Sequence, residues 1–176
     1  MASFPKDAVT HISGTFYRMI IASRLAEVLA PAKSPEGRSH YNGQLALYLS
    51  QTPEGTAVAV KRYMQQNDPP RVVCSISVSS ANIVDLRDLD ACRLLDIDPS
   101  QRTVEWQDLR AKGLRSTTWD ISDRVRELGL DGMLYASRTK PNLTHLTLFK
   151  WNDLGGPAVK VVGQPISYPF QSQRSS

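Results

Sequence analysis

The sequence predicts an α+β fold: one compact domain with a mixed, largely antiparallel sheet. Three observations carry this. β-branched and aromatic runs are interspersed with short helical patterns, without the regular strand–helix rhythm of a doubly wound parallel sheet. Several strand-like runs crowd together towards the C-terminal end, separated by turn residues. The chain has 176 residues, 41% of them hydrophobic, which suits one core and one domain.

Residues 1–12 read as an exposed lead-in. Residues 15–20, TFYRMI, are β-branched and aromatic and read as the first strand. Residues 29–44 are rich in Pro, Gly, Ser and Asn and read as a long loop. Residues 45–50, LALYLS, form a short apolar strand with both faces covered. A helix starts directly after it. Thr52 suits the cap, Pro53 suits the first position because its missing N–H has no partner there, and Glu54 complements the helix dipole. Ala57, Val60 and Met64 then share a face, with Lys61 and Arg62 nearer solvent.

Residues 71–79 and 83–86 read as two further strands, 88–95 as a helix, and Asp98-Pro99-Ser100 as a turn. Residues 116–120 open a helix whose apolar face is Ile121, Val125 and Leu128, with Gly129 and Gly132 framing its end. Residues 132–137 and 143–151 are strands around a turn at Pro141 and Asn142, and 158–162 is a last strand. The core spans about residues 15–162, and the polar stretch 166–176 is expected to be a flexible tail.

Composition excludes several classes. No apolar run approaches ~18 residues, so no membrane span is expected. The N-terminus carries Pro5, Lys6 and Asp7 and lacks a signal core, so the chain is read as cytoplasmic. Cys74 and Cys92 are expected to be reduced, partly buried thiols. His11, His40 and His145 are scattered and form no HExxH, so no metal is expected. The net charge of +4 favours anionic ligands without naming one. There is no GxGxxG, no GxxxxGK[ST] and no GxSxG.

Three clusters remain: Tyr17-Arg18, then residues 36–43 (EGRSHYNG) leading into Tyr48, Ser50 and Glu54, and residues 131–138 (DGMLYASR). Each alone has a plain structural explanation, as a solvated turn, a core tyrosine or a first-turn charge. In this order and spacing they resemble the RES domain, named for its Arg, Glu and Ser. The resemblance rests on Tyr17-Arg18 on a strand, then Gly37-Arg38-Ser39-His40-Tyr41 in a loop. Residues 46–50 (ALYLS) follow, leading into Thr52-Pro53-Glu54. The motif at 129–138 (GLDGMLYASR) and the strand after it complete the pattern. It spans roughly residues 15–151 of a single RES-like domain covering 1–176. In many members a Glu lies further along the helix. Here that position is Ala59, which leaves Glu54 as the nearby carboxylate.

The resemblance implies an ADP-ribosyltransferase-like fold and a toxin of a bacterial type II toxin–antitoxin pair. It implies a partner, a cognate Xre-type antitoxin, and NAD as the substrate consumed. NAD would be cleaved at the nicotinamide–ribose bond. The ADP-ribose would pass to a protein acceptor or, alternatively, be released by hydrolysis or phosphorolysis. Such cleavage builds positive charge on the ribose, as in glycoside cleavage, while nicotinamide departs neutral. Arg18 and Arg38 suit the diphosphate, because guanidinium binds phosphate oxygens with charge-assisted bonds. Tyr48 suits the pyridinium, where a cation–π contact is worth roughly 0.5–2 kcal/mol. Ser50 or Ser137 suits the carboxamide or a phosphate, and Glu54 suits a ribose hydroxyl or the developing cation. Tyr17 joins Arg18 on the binding strand, and His40 is a candidate proton shuttle. The expected catalytic set is thus Arg38, Tyr48, Glu54 and Ser137, and the binding set Arg18, Tyr17, Ser50 and His40. The competing reading is a non-catalytic basic module for RNA or protein, which the absence of a basic run or an RNP-like strand disfavours.

Overall fold

The computed structural model describes residues 4–171. Strand β1 (Thr10–Ile21) is followed by a 3₁₀ segment, a long loop and β2 (Leu47–Ser50). Next come α1 (Pro53–Val60), β3 (Arg71–Asp85), α2 (Leu89–Leu94), α3 (Trp106–Ala111) and α4 (Thr118–Glu127). β4 (Gly132–Ala136), β5 (Thr144–Leu148) and β6 (Ala158–Tyr168) complete the sheet. Only β3 and β4 run parallel, so the sheet is mixed and largely antiparallel, as expected.

The strand order is β1-β2-β5-β4-β3-β6, and β1 also pairs with β3. Five strands therefore close into a ring, with β6 flanking β3. The ring is weakest between β1 and β2, where Tyr17 opposite Ser50 is the recorded pair. Because side chains alternate along a strand, each strand gives one set to the interior and one to the outer face. Phe16, Ile20, Leu47, Leu49, Ile76, Leu146 and Leu148 fill the interior. On the outer face Met133, Tyr135, Val84 and Leu86 pack against Ala91, Leu95, Ile121 and Val125 of the helical layer.

The local chemistry of the elements is mostly as expected. Thr52 Oγ1 accepts the Gly55 N–H at 3.1 Å and Pro53 opens α1. α1, however, ends at Val60, and its buried residues are Gly55 and Thr56 rather than an apolar stripe. Asp88 caps α2, and Asp98 caps a 3₁₀ turn, Pro99–Thr103. Ile121 and Val125 are buried on α4, as their spacing predicted.

Three differences have physical causes. The lead-in is part of β1, since residues 10–12 pair with β3. The two strands expected across 71–86 are one strand. Ser80 turns through a left-handed conformation (φ 62°), and its N–H bonds Ser13 Oγ at 2.9 Å opposite the irregularity in β1, so the ladder bends without breaking. The last strand runs to Tyr168, because residues 166–168 pair with β3, so that part of the expected tail is structured. The last five residues of that tail, 172–176, lie outside the described residues. α3 carried no expected periodicity and is one further addition.

Candidate active site

The outer face of the central strands carries a row of polar side chains. Ser50 stands opposite His145 across β2–β5, and His145 stands opposite Tyr135 across β5–β4. Ser50 Oγ lies 2.8 Å from His145 Nδ1. The Tyr135 ring is tilted at 5.7 Å from the imidazole, and its hydroxyl shares a 2.8 Å hydrogen bond with Thr147 Oγ1. All four are buried. Burial, with the nearby Arg102 charge, pulls the His145 pKa down to about 4, so the ring is neutral near pH 7.

Tyr48 lies one step along the row, opposite Thr147. Its hydroxyl is 2.7 Å from His40 Nδ1, and His40 Nε2 is 2.8 Å from Ser34 O. A carbonyl only accepts, so Nε2 carries the proton, Nδ1 accepts, and the Tyr48 O–H donates to it. The same hydroxyl accepts the Ser39 N–H at 3.0 Å. Burial raises the Tyr48 pKa and lowers that of His40, so both stay neutral. Both nitrogens of His40 are thus committed to holding the loop, and the histidine expected as a proton shuttle is buried structure.

That loop places Arg38. Thr118 Oγ1 donates to Arg38 O at 2.7 Å, Trp119 Nε1 donates to Gly37 O at 2.8 Å, and Arg126 Nη2 donates to Ser39 O at 2.9 Å. The loop is therefore pinned to α4 on both sides of Arg38. Arg38 Nη1 donates to Arg102 O and Val104 O, each at 2.8 Å, while its Nε and Nη2 bond no described residue. It lines a cavity of about 10 Å³ together with Arg102, Tyr135 and Met133. That is room for about one water. Burial lowers the pKa of both arginines without discharging them. Arg102 Nη1 donates to Ala136 O, and Arg138 pairs with Glu105, which also pairs with Arg62 at 3.2 Å.

The structure does not bring Arg18 here. Its cross-strand neighbour is Cys74, and it shares the interior face with Phe16 and Ile20. Arg18 Nη1 donates to Val28 O at 2.6 Å and Ala30 O at 2.8 Å. Burial pulls its pKa down to about 10. Tyr17, its neighbour, faces the other way and pairs with Ser50. Glu54 is exposed in the first turn of α1, and its carboxylate bonds no described residue. Ser137 is buried at the end of β4, where its Oγ accepts the Lys140 N–H at 3.3 Å. It sits between Ala136, which Arg102 holds, and Arg138, which Glu105 holds.

Sequence reasoning missed Arg102, Glu105 and His145 as site candidates, and it assigned no role to Tyr135 and Arg138 within the 131–138 cluster. His145 had a usable signal: in residues 145–148 (HLTL) polar and apolar residues alternate, which marks one polar face of a strand. Arg102 and Glu105 lie outside any periodic element and had none. A larger hollow, about 420 Å³, lies beside α2, lined by Asp96 and Asp98 and by Arg93, which is paired with Asp90, so its charged lining does not favour an anionic ligand. Among the described residues no group of three or more His, Cys, Asp or Glu is placed to hold a metal. No described helix is long and apolar enough to cross a membrane.

The family model described as the RES domain matches residues 9–171. The structure is similar to a chain in the crystal structure of the M. tuberculosis MbcT–MbcA toxin–antitoxin complex. The TM-score is 0.60 at 16% identity, covering 92% of this chain and 88% of that one. The likeness is one of fold, in keeping with the ADP-ribosyltransferase-like architecture expected. No curated protein matches the sequence.

Proposed function

The chain belongs to the RES domain family, and from that premise we propose that it is a toxin enzyme that cleaves NAD at the nicotinamide–ribose bond and passes ADP-ribose to a protein acceptor. The observation that carries this reading is the meeting of Arg38 and Arg102 with Tyr135 at one cavity, beside the Ser50–His145 pair. The Arg38 guanidinium, which uses only Nη1 on described residues, answers a diphosphate. Aromatic rings answer the pyridinium and adenine. Membership of the RES family and a structural neighbour that sits in a toxin–antitoxin complex support the toxin role and an antitoxin partner; that the partner is a cognate Xre-type antitoxin is part of this proposal.

In this mechanism the C1′–N bond breaks and its electron pair stays with nicotinamide, which leaves neutral. The ribose becomes oxocarbenium-like and is then attacked by the acceptor nucleophile, whose proton is lost. Arg38 holds the diphosphate. Ser50, fixed by His145, donates to the carboxamide, with Tyr17 beside it on β1. Tyr48 positions the nicotinamide side of the site by pinning the Arg38 loop. Ser137 orders the turn that carries Arg138. Glu54, a carboxylate four residues past the end of β2 in the first turn of α1, opposes the ribose cation. Glu105 is already tied to two arginines and is less suited to that role.

The test is the fate of labelled NAD incubated with the purified chain and cell lysate. Label in a discrete protein band, with free nicotinamide, is the expected result. Label only in free ADP-ribose, or in ADP-ribose 1″-phosphate, replaces transfer with hydrolysis or phosphorolysis. NAD left intact removes the enzymatic reading.

A further inference from the structure

Within residues 99–111, Arg102 lines the cavity, and polar contacts tie the segment to Arg38 and to the turn after β4. Arg38 ties the carbonyls of Arg102 and Val104. Arg102 reaches Ala136 O, and Arg110 forks onto Glu36 at 2.9 and 3.0 Å. Glu105 spreads its two oxygens between Arg138 and Arg62. Trp106 is the one side chain of this segment that is buried. Half-exposed ion pairs stabilise little individually. A segment anchored this way opens at less cost than one sealed by apolar burial.

The charges are arranged in a telling way. Arg38 comes from the long loop, Arg62 from the 3₁₀ segment after α1, and Arg138 from the turn after β4. Three elements outside the segment thus point guanidinium groups at one carboxylate or at the backbone beside it. A carboxylate and a phosphate present the same pair of acceptor oxygens to a guanidinium fork. The cavity beneath, about 10 Å³, is far too small for a nucleotide, whose sites run to several hundred Å³.

We infer that Arg38, Arg62 and Arg138 form a diphosphate-binding site, and that residues 99–111 are a self-blocking strap whose Glu105 carboxylate stands where a phosphate of the ligand goes. The identity of the ligand as a dinucleotide rests on the NAD reading above. The strap does not. A diphosphate carries more charge than one carboxylate, so it displaces Glu105, cuts the latch to Arg62 and Arg138, and lets the strap lift. Without ligand the strap closes again. The apparent affinity is lowered by the fraction of molecules that are closed.

The test uses inorganic pyrophosphate and the full chain. Calorimetry should show Glu105→Gln binding pyrophosphate about fivefold tighter than wild type, or more, as the closed fraction falls. Amide hydrogen exchange should quicken across 99–111 in Glu105→Gln. It should also quicken in wild type on adding pyrophosphate, which tests the strap even if the variant folds poorly. Equal or weaker binding by a folded Glu105→Gln, or exchange across 99–111 unmoved by pyrophosphate, overturns the inference. A chain that binds pyrophosphate and opens but leaves NAD intact refutes the NAD reading and keeps the strap. NAD turnover with the same KM in both proteins does the reverse.

Discussion

Ser50 Oγ and His145 Nδ1 lie 2.8 Å apart, directly opposite each other across the β2–β5 ladder. The pair is buried, and the imidazole is neutral because burial and Arg102 both disfavour its charge. A His with a folded pKa of about 4, against 6.5 unfolded, takes up its proton more readily in the unfolded chain. Its contribution is therefore fully present above pH 6.5 and is lost as pH falls towards 4. The gap corresponds to about 3 kcal/mol. Urea denaturation from pH 7 to 4 should show wild type losing more stability than His145→Asn by about that amount. Parallel curves would contradict the assignment.

Gly37 makes the His40–Tyr48 contact possible. A Cβ built there would lie 2.7 Å from His40 Nδ1 and 2.9 Å from the Tyr48 hydroxyl, closer than real Cβ atoms sit. Gly37→Ala should destabilise the fold by about 1–3 kcal/mol, the usual cost of forcing side chains aside in a packed site. Denaturant midpoints at neutral pH check this, and a change under about 0.5 kcal/mol would mean that the loop adjusts freely.

Arg18 is a structural arginine. It satisfies Val28 O and Ala30 O, so Arg18→Met should cost about 2–3 kcal/mol, in the range for hydrogen bonds to charged groups. The KM for NAD of the folded variant should match wild type. A raised KM without loss of stability would return Arg18 to the site.

The contrast between Arg18 and its neighbour shows what a sequence can and cannot disclose. The run 15–20 was legible as a strand from its β-branched and aromatic residues. Its register was not, and adjacent strand residues face opposite ways, so one step decides whether Tyr17 or Arg18 meets Ser50. The α1 cap was legible because Thr52 and Pro53 act locally. The single bent β3 was not, because the turn at Ser80 depends on Ser13, far off in the chain. The arginine cluster escaped for the same reason. Arg38, Arg102 and Arg138 meet only through tertiary contacts, and Arg102 and Glu105 lie where no periodicity marks a face.

The most direct test of the central claim, that Arg38 meets the diphosphate of NAD, is nicotinamide release by the purified chain and by Arg38→Ala, read by mass spectrometry. Wild type is predicted to release nicotinamide, and the variant to do so about 100-fold more slowly or worse, the scale for losing a charge-stabilising group in a buried site. Equal release by both proteins, or none by wild type, would contradict the account.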